Sequence, residues 1–116
     1  MALPGIWRMK RGEVWWVEFD PSVGSEIRKT RPAIIVSNDA ANRNLSRVVV
    51  VPCTSSVERV YPGEAVVTVG RQRSKAMADQ IMAADKSRLK DQLATLSKSD
   101  LEAVETAIKI HLGLHL

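Results

Sequence analysis

Cysteine, histidine and aromatic residues are scarce in this chain, and each scarcity excludes a kind of chemistry. The 116 residues include one cysteine, Cys53, which excludes an internal disulfide and a cysteine-rich metal site. The two histidines, His111 and His115, fall near the end of the sequence, and two ligands do not make a metal site. A glycine-rich phosphate loop and a Ser-His-Asp set are also missing. Any catalysis must therefore use arginine, hydroxyl and carboxylate side chains, without a metal or other cofactor.

Long apolar runs are absent as well. No stretch approaches the ~20 residues that a membrane span needs, and the apolar start over residues 1–7 is too short for a signal peptide. We therefore expect a cytoplasmic protein with no membrane partner. A chain of 116 residues can build one core but not two. This predicts a single domain over residues 1–116, with residues 1–9 as an N-terminal extension.

Positive charge is present in excess, with 17 Lys and Arg against 13 Asp and Glu. A basic balance alone points only weakly to nucleic acid. Its distribution is more informative, because Arg28, Lys29 and Arg31 form one cluster and Arg71, Arg73 and Lys75 a second. Either cluster alone would suit a solvated loop, but both flank expected turns and could face one surface.

The stretch from Thr30 to Asp39 organises the chain. Four apolar residues, 33–36, follow Pro32 and end in a turn signal, which predicts a short strand buried on both faces. Pro32 has no N–H to give to a sheet, so we expect it at the first position of this strand. Arg31 would then stand where a loop enters a buried strand, a suitable place for a group that holds a phosphate.

Further short strands and one helix are predicted along the chain. Residues 39–44 suggest a helical turn capped by Asn38 or Asp39, and residues 70–74 a basic turn. A helix face repeats from Leu101 to Leu112, with Ser97 or Ser99 as its cap and Gly113 as its stop. The strands are expected over 13–19, 47–53, 64–69 and 91–96, and over 75–83, where a helix is the alternative. This pattern predicts a mainly β fold (α+β), a small antiparallel barrel closed by the C-terminal helix.

The first strand carries two adjacent tryptophans with different expected roles. Alternation places Trp15 with Val17 and Phe19 on the expected core face, and Trp16 with Val14 and Glu18 on the other. Because Trp16 shares its face with a charge, it is the better candidate for a contact surface. A second buried tryptophan is an equally acceptable interpretation of the sequence.

Three groups of residues resemble the signature of the MazF/PemK (Kid) toxins, the endoribonucleases of type II toxin–antitoxin modules. The first is Gly24-Ser25-Glu26 followed by Arg31-Pro32, an apolar strand and Ser37. The second is Val51-Pro52-Cys53-Thr54, and the third is Ala78-Asp79-Gln80-Ile81. The resemblance runs from about residue 10 to residue 112, and the spacing of the three groups makes it specific.

The resemblance implies an SH3-like barrel with a C-terminal helix, working as a homodimer on single-stranded RNA. It implies sequence-specific, metal-independent cleavage, and inhibition by the C-terminal segment of an antitoxin that blocks the RNA groove. We expect this antitoxin to be acidic. The family's catalytic arginine and threonine fall on Arg31 and Thr54, and its loop acid on Glu26. The residues expected to contact RNA or antitoxin are Trp16, Ser25, Arg28, Lys29, Ser55, Arg71, Arg73, Asp79 and Gln80.

The chemistry of RNA fits this set of residues. RNA carries its own nucleophile, the 2′-OH, so the protein need only align it and stabilise a pentacoordinate phosphorane. Arg31 can give a bidentate fork to phosphate oxygens, and Thr54 one further donor. The expected products are a 2′,3′-cyclic phosphate and a 5′-OH. The acceptor of the 2′-OH proton stays open, since arginine is a poor base and Glu26 serves only if it can reach.

Departures from the family pattern and two other functions complete the sequence evidence. Residues 27–30 lack the glycine of some relatives, and Met77 replaces the arginine of the PemK branch, so the MazF-type Arg/Thr pair is the one carried over. One alternative is a protein-targeting toxin like the gyrase poison CcdB, whose Trp-Gly-Ile end is not found in residues 113–116. The other is a non-catalytic SH3-like binding module with Arg31 as a surface residue.

Overall fold

The computed structural model describes residues 8–19 and 29–115, which form a mainly antiparallel β structure with a C-terminal helix. None of the helices in this part of the chain is long and apolar enough to span a membrane. Short 3₁₀ turns cover Ala78–Gln80 and Lys86–Arg88. The strands and helices are β1 (Glu13–Phe19), β2 (Lys29–Ile35), α1 (Asp39–Asn44), β3 (Arg47–Thr54), β4 (Glu64–Val69), β5 (Gln72–Met77), β6 (Met82–Asp85), β7 (Leu89–Thr95) and α2 (Lys98–Leu112).

Strand β3 pairs with three other strands, β2, β5 and β6. The strand order is β4-β5-β3-β2-β1-β7, and β6 pairs separately with β3. Different parts of β3 serve different neighbours: its first half pairs with β6, its middle with β2, and Cys53 and Thr54 with β5. The end of β3 therefore lies where two parts of the sheet meet.

The apolar stretch of β2 is buried on both faces, as the sequence predicted. Ala33, Ile34 and Ile35 are fully buried, because Ile34 packs into one apolar cluster while Ala33 and Ile35 pack into another. The first cluster joins residues of the sheet to Val104 and Ala107 of α2. Both sides of β2 are thus fixed, which gives the residues at its start a rigid base.

The C-terminal helix begins and ends as its sequence signals predicted. The Ser97 side chain accepts a hydrogen bond from Asp100 N at 3.1 Å, so Ser97 rather than Ser99 is the cap. Gly113 adopts φ +69°, the left-handed conformation that ends many helices. The apolar face extends beyond the core, since Leu112 is half exposed.

Helix α1 is tied to its surroundings by polar groups. Its cap is Asn38, whose side chain accepts from Ala41 N at 2.8 Å. Asp39 Oδ1 accepts from Arg11 N at 2.8 Å, and this backbone hydrogen bond lowers the pKa of the Asp39 carboxyl. The buried Lys86 donates to the carbonyl of Asn42, and burial lowers the pKa of its ammonium group.

Three details of the sequence-based prediction are wrong. Pro32 lies in the middle of β2 and not at its start, because β2 pairs with β1 from Lys29 onward whereas the described pairing with β3 begins only at Ala33. A proline is tolerated beside such an unpaired edge. Residues 70–83 form a shorter turn, strand β5, a 3₁₀ turn and the start of β6. Val14, expected away from the core, is fully buried because the first apolar cluster covers its face of β1.

Candidate active site

Arg31 and Thr54 stand on neighbouring strands, just beyond the last residues that pair between β2 and β3. The ladder between β2 and β3 ends with Ala33 opposite Pro52. Continuing this antiparallel register by two residues places Arg31 opposite Thr54, on the same face of the two strands. The two side chains line the same groove. The fold therefore brings together the two residues that the resemblance nominates for catalysis.

The groove is small, partly polar and open to solvent. Its volume is about 280 Å³. It lies where β1, β2, β3 and β5 meet, so four strands fix its walls. Its lining residues are Trp16, Arg31, Pro32, Cys53, Thr54, Ser55, Gln72 and Ser74.

The polar groups of Arg31 and Thr54 are available to a ligand. The guanidinium of the half-buried Arg31 donates no hydrogen bond to a carboxylate or carbonyl in the described ranges. The Thr54 hydroxyl oxygen accepts from Ser56 N at 3.2 Å. A threonine hydroxyl has one proton to donate besides its acceptor capacity. The backbone bond therefore holds the Thr54 side chain in place and leaves its proton for a ligand.

Cys53 borders the groove but has no chemistry to offer there. Its side chain is buried, and desolvation raises the pKa of the thiol to about 12. The thiol therefore stays protonated near neutral pH, and a protonated thiol is a poor nucleophile. The expectation of a buried, inert cysteine is confirmed as far as its burial goes.

Trp16 is the aromatic wall of the groove. Its side chain is 36% exposed, whereas Trp15 packs against the second apolar cluster and donates from Nε1 to Glu13 Oε1 at 3.0 Å. The structure thus places Trp16 at the surface and not in the core, and its contact with a ligand stays a prediction. A partly exposed indole beside an arginine offers a flat face on which a base can stack.

Several other predicted site residues lie away from this groove. Arg71 follows β4 in a turn, and Arg73 is on β5 with its side chain exposed, but neither lines the groove. Lys75, the third member of the second basic cluster, is already paired. Its Nζ forms an ion pair with Glu64 at 3.2 Å and donates to Arg59 O at 2.8 Å. The second basic cluster of the sequence analysis therefore supplies two exposed cations and not three.

Asp79 and Gln80 occupy the 3₁₀ turn after β5. Gln80 Nε2 donates to Met77 Sδ at 3.5 Å. Asp79 borders a separate cavity with Tyr61, Gly63, Glu64 and His111. Within residues 8–19 and 29–115, no three His, Cys, Asp or Glu side chains come close enough to hold a metal ion together.

The loop before β2 carries the remaining predicted residues. Ser25, Glu26 and Arg28 lie outside the described residues. Lys29 begins β2 opposite Phe19, and its side chain also lies outside the description. Their expected contacts with RNA or antitoxin stay predictions.

Gln72 and Ser74 line the groove although the sequence analysis did not select them. They alternate with Arg73 and Lys75 along β5, and successive residues of a strand point to opposite faces. Interpreting residues 72–77 as a strand would have separated the two polar side chains from the two cations. The expected turn over residues 70–74 hid this alternation.

A family model and individual proteins agree on what this chain is similar to. The model of PemK-like, MazF-like toxins of type II toxin–antitoxin systems matches residues 10–112. The endoribonuclease MazF9 of Mycobacterium tuberculosis is 40% identical over 115 residues, which cover 91% of this chain and 98% of that protein.

Solved structures share the fold. An endoribonuclease from a mycobacterial species superposes with a TM-score of 0.78 at 27% identity, over 93% of this chain and 94% of the other. A second mycobacterial endoribonuclease, solved in complex with its cognate antitoxin, superposes with a TM-score of 0.77 at 28% identity. That comparison covers 93% of this chain and 98% of the other.

Proposed function

The chain belongs to the family of PemK-like, MazF-like toxins of type II toxin–antitoxin systems, and we propose that it is a toxin endoribonuclease neutralised by a cognate antitoxin. Its substrate is single-stranded RNA, including mRNA in the cytoplasm, which it cuts at short sequences. The observation that carries this proposal is the shared groove of Arg31 and Thr54. Among the described residues, none accepts a hydrogen bond from the Arg31 guanidinium, and the Thr54 hydroxyl accepts from Ser56 N but keeps its proton for a phosphate.

Arg31 and Thr54 stabilise the transition state in the proposed reaction. The 2′-OH of the RNA attacks the adjacent phosphorus, and negative charge grows on the phosphate oxygens of the phosphorane. The Arg31 guanidinium donates two parallel hydrogen bonds to these oxygens, and the Thr54 hydroxyl donates a third. The bond between phosphorus and the 5′-oxygen then breaks, and this oxygen takes up a proton from solvent, which leaves a 2′,3′-cyclic phosphate and a 5′-OH.

The proton of the 2′-OH needs an acceptor that the described groove does not supply. None of its lining residues is a carboxylate or a histidine. A guanidinium keeps its own proton near neutral pH, so it cannot accept another one. We therefore propose Glu26 for this role. His111 borders the other cavity and serves no purpose in this step.

The quaternary arrangement forms part of the same proposal. We propose a homodimer, because one small groove holds only a short stretch of RNA and two side by side would hold a longer one. Further, the sheet would curl into an SH3-like barrel, since one apolar cluster joins β4 to β1 and to α2. The antitoxin is proposed to be acidic, with a segment that folds on binding to the groove.

Cleavage of a long single-stranded RNA in the presence of EDTA tests the proposal. We expect full activity in EDTA, product ends with a 2′,3′-cyclic phosphate and a 5′-OH, and resistance of duplex RNA. Arg31→Ala should lose at least about 10²-fold in rate while its melting temperature stays that of the wild type. A requirement for added Mg²⁺, or unchanged cleavage by Arg31→Ala, would refute the proposed mechanism.

A further inference from the structure

A polar cavity lies beyond the end of β2, where the segment before β1 meets helix α1 and strand β7. We call it the Arg43 cavity. Its volume is about 460 Å³, and small-molecule sites in proteins measure about 300–1,000 Å³. The buried Met9 forms part of its wall, and its polar lining residues are Arg8, Lys10, Glu13, Asp39, Arg43 and Gln92.

The Arg43 cavity is separate from the cleavage groove. The two share no lining residue. Arg31 stands near the start of β2, and Ile35 at its end is about 13 Å away at roughly 3.3 Å per strand residue. Asp39, which lines the Arg43 cavity, follows four residues later. The residues that line the Arg43 cavity therefore have no part in the proposed cleavage step.

Three cations with no hydrogen-bond or ion-pair partner among the described residues line the Arg43 cavity. They are Arg8, Lys10 and Arg43. The pKa of the Asp39 carboxyl is lowered first by the hydrogen bond from Arg11 N and further by the charges of Arg43 and Lys10. Lys10 and Arg43 come from different parts of the chain, and both act on Asp39. Positive charge therefore converges at this cavity.

The two carboxylates of the cavity are each held through one oxygen. Glu13 Oε1 accepts from Lys10 N and from Trp15 Nε1, both at 3.0 Å. Asp39 Oδ1 accepts from Arg11 N at 2.8 Å. The second oxygen of each carboxylate accepts no hydrogen bond from a described residue. Each carboxylate is thus fixed in place and can still accept a hydrogen bond from a ligand.

Gln92 adds a third acceptor from strand β7. Its Nε2 donates to Ala94 O at 3.4 Å and to Thr95 Oγ1 at 3.3 Å, and its Oε1 accepts from no described residue. The Arg43 cavity therefore offers cationic donors and oxygen acceptors side by side. A ligand with anionic groups alone would meet these acceptors without a proton to share. The occupant must present hydroxyl or N–H donors as well as negative charge.

The lining favours a phosphorylated sugar over a nucleotide or an RNA strand. Arginine and lysine bind phosphate through charge-assisted hydrogen bonds, and the hydroxyl groups of a sugar can donate to the three acceptors. None of the described residues that line the cavity is aromatic. Unpaired bases are usually held by stacking on aromatic side chains, and this cavity offers no such surface.

We propose that the Arg43 cavity is a binding site for a small sugar phosphate. The phosphate accepts hydrogen bonds from Arg8, Lys10 and Arg43. The sugar hydroxyls donate to Gln92 Oε1 and to the second oxygens of the two carboxylates. This site goes beyond the proposed endoribonuclease activity and does not depend on it.

Calorimetric titration of ribose 5-phosphate into the Arg31→Ala variant tests the site. This background removes the guanidinium of the cleavage groove, so that phosphate binding there does not contribute. Ribose 5-phosphate should bind at least roughly threefold more tightly than inorganic phosphate, because its hydroxyl groups add hydrogen bonds. A further Arg43→Gln substitution should raise the Kd of ribose 5-phosphate by roughly tenfold or more through lost charge-assisted hydrogen bonds.

Two further variants separate the contacts. Gln92→Leu should weaken the binding of ribose 5-phosphate and leave that of inorganic phosphate unchanged. Arg47→Gln removes an exposed arginine at the start of β3 that does not line the cavity, and it should leave both affinities unchanged. Arg43, Arg47 and Gln92 are all exposed, so each variant should keep the melting temperature of its background.

Four results would overturn the site. They are the absence of saturable binding up to about 10 mM, equal affinities for ribose 5-phosphate and inorganic phosphate, equal losses in Arg43→Gln and Arg47→Gln, and displacement of bound ribose 5-phosphate by oligodeoxythymidine. The last result would assign the cavity to nucleic acid. Cleavage by the wild type is measured separately, so its failure would refute the proposed function and leave the binding results unaffected.

Discussion

Arg31 reaches the groove with a guanidinium that no described residue engages in an ion pair. Its backbone belongs to β2, whose following residues are buried on both faces. An arginine held at its base and free at its tip can meet a phosphate without first breaking another contact. Any selectivity of the groove for a phosphate would therefore come from the geometry of this one guanidinium and not from a large number of charges.

Replacing Arg31 by lysine tests whether this geometry matters. A lysine keeps the charge but cannot make two parallel hydrogen bonds from one plane. We expect Arg31→Lys to lose roughly 10²-fold in cleavage rate without a change in melting temperature. Arg47→Lys, at the exposed start of β3, is the matched control and should cleave at the wild-type rate. Near-wild-type cleavage by Arg31→Lys would mean that charge alone suffices.

The pKa of the Asp39 carboxyl makes the free energy of unfolding depend on pH. The hydrogen bond from Arg11 N–H lowers the folded-state pKa of this carboxyl below its ordinary value of 3.8. The ionised form therefore stabilises the fold at every pH above about 4. That contribution is lost as the pH falls through the lowered pKa.

Asp39→Asn should accordingly flatten the acid limb of the stability curve. The free energy of unfolding, measured by urea titration from neutral to acidic pH, should fall less steeply in the variant than in the wild type. Asp91→Asn is the control for loss of one exposed carboxylate. If the free energy of unfolding depends on pH equally in Asp39→Asn and in wild type, the hydrogen bond from Arg11 does not contribute to the pH dependence of stability.

At the scale of elements, helix α2 illustrates a strong local signal. Its apolar repeat, its Ser97 cap and its Gly113 stop all lie within the segment itself, so the sequence predicted its course and both ends. Strands β1 and β4 were likewise predicted with their observed bounds, because turn residues flank each of them. Local chemistry decides such elements before any tertiary contact forms.

Exchange of the Ser97 cap provides a test of that local signal. Ser97→Ala removes the acceptor of the Asp100 N–H and should lower the free energy of unfolding by about 1 kcal/mol. Ser99→Ala, at the second residue of α2, should change it by less than about 0.5 kcal/mol. Denaturant titration of both variants measures the difference. A larger effect of Ser99→Ala would make Ser99 the true cap.

Other elements could not be predicted locally, and the reason is their neighbours. Pro32 is tolerated inside β2 because the described β3 ladder begins only after it, a fact about the partner strand. Residues 72–85 contain alanine, methionine and charges that suit helix or strand equally. Pairing with β4 and β3 decides that they form β5 and β6. Gln72 and Ser74 were missed as groove residues for the same reason.

At the scale of the whole molecule, the exposed cations are distributed unevenly around the groove. Arg71 and Arg73 lie at the start of β5, near Gln72 and Ser74 of the groove wall. They do not line the groove, but under the proposed function we expect them to attract the RNA backbone beyond it. Such contacts add affinity without base preference.

Charge reversal at these arginines tests that contribution. Arg71→Glu with Arg73→Glu should weaken RNA binding uniformly across sequences. The slope of log K against log salt should lose about 0.7 for each phosphate contact removed, measured between about 50 and 200 mM salt. Arg59→Glu, in the β3–β4 connection, is a control for charge alone. An unchanged salt slope would place the RNA backbone elsewhere.

Arg31 pairs with Val17 of β1 and Thr54 pairs with Lys75 of β5, but the two residues lie beyond the last β2–β3 pair, and this has a consequence for heat inactivation. The end of a ladder opens with a smaller free energy than its centre, so we expect the β2–β3 junction to separate at a lower temperature than the core. Each such opening would move the two groups apart while the buried core stays intact. The temperature at which the toxin stops working would therefore lie below the temperature at which it unfolds. A cell that warms would silence such a toxin reversibly, without losing the protein.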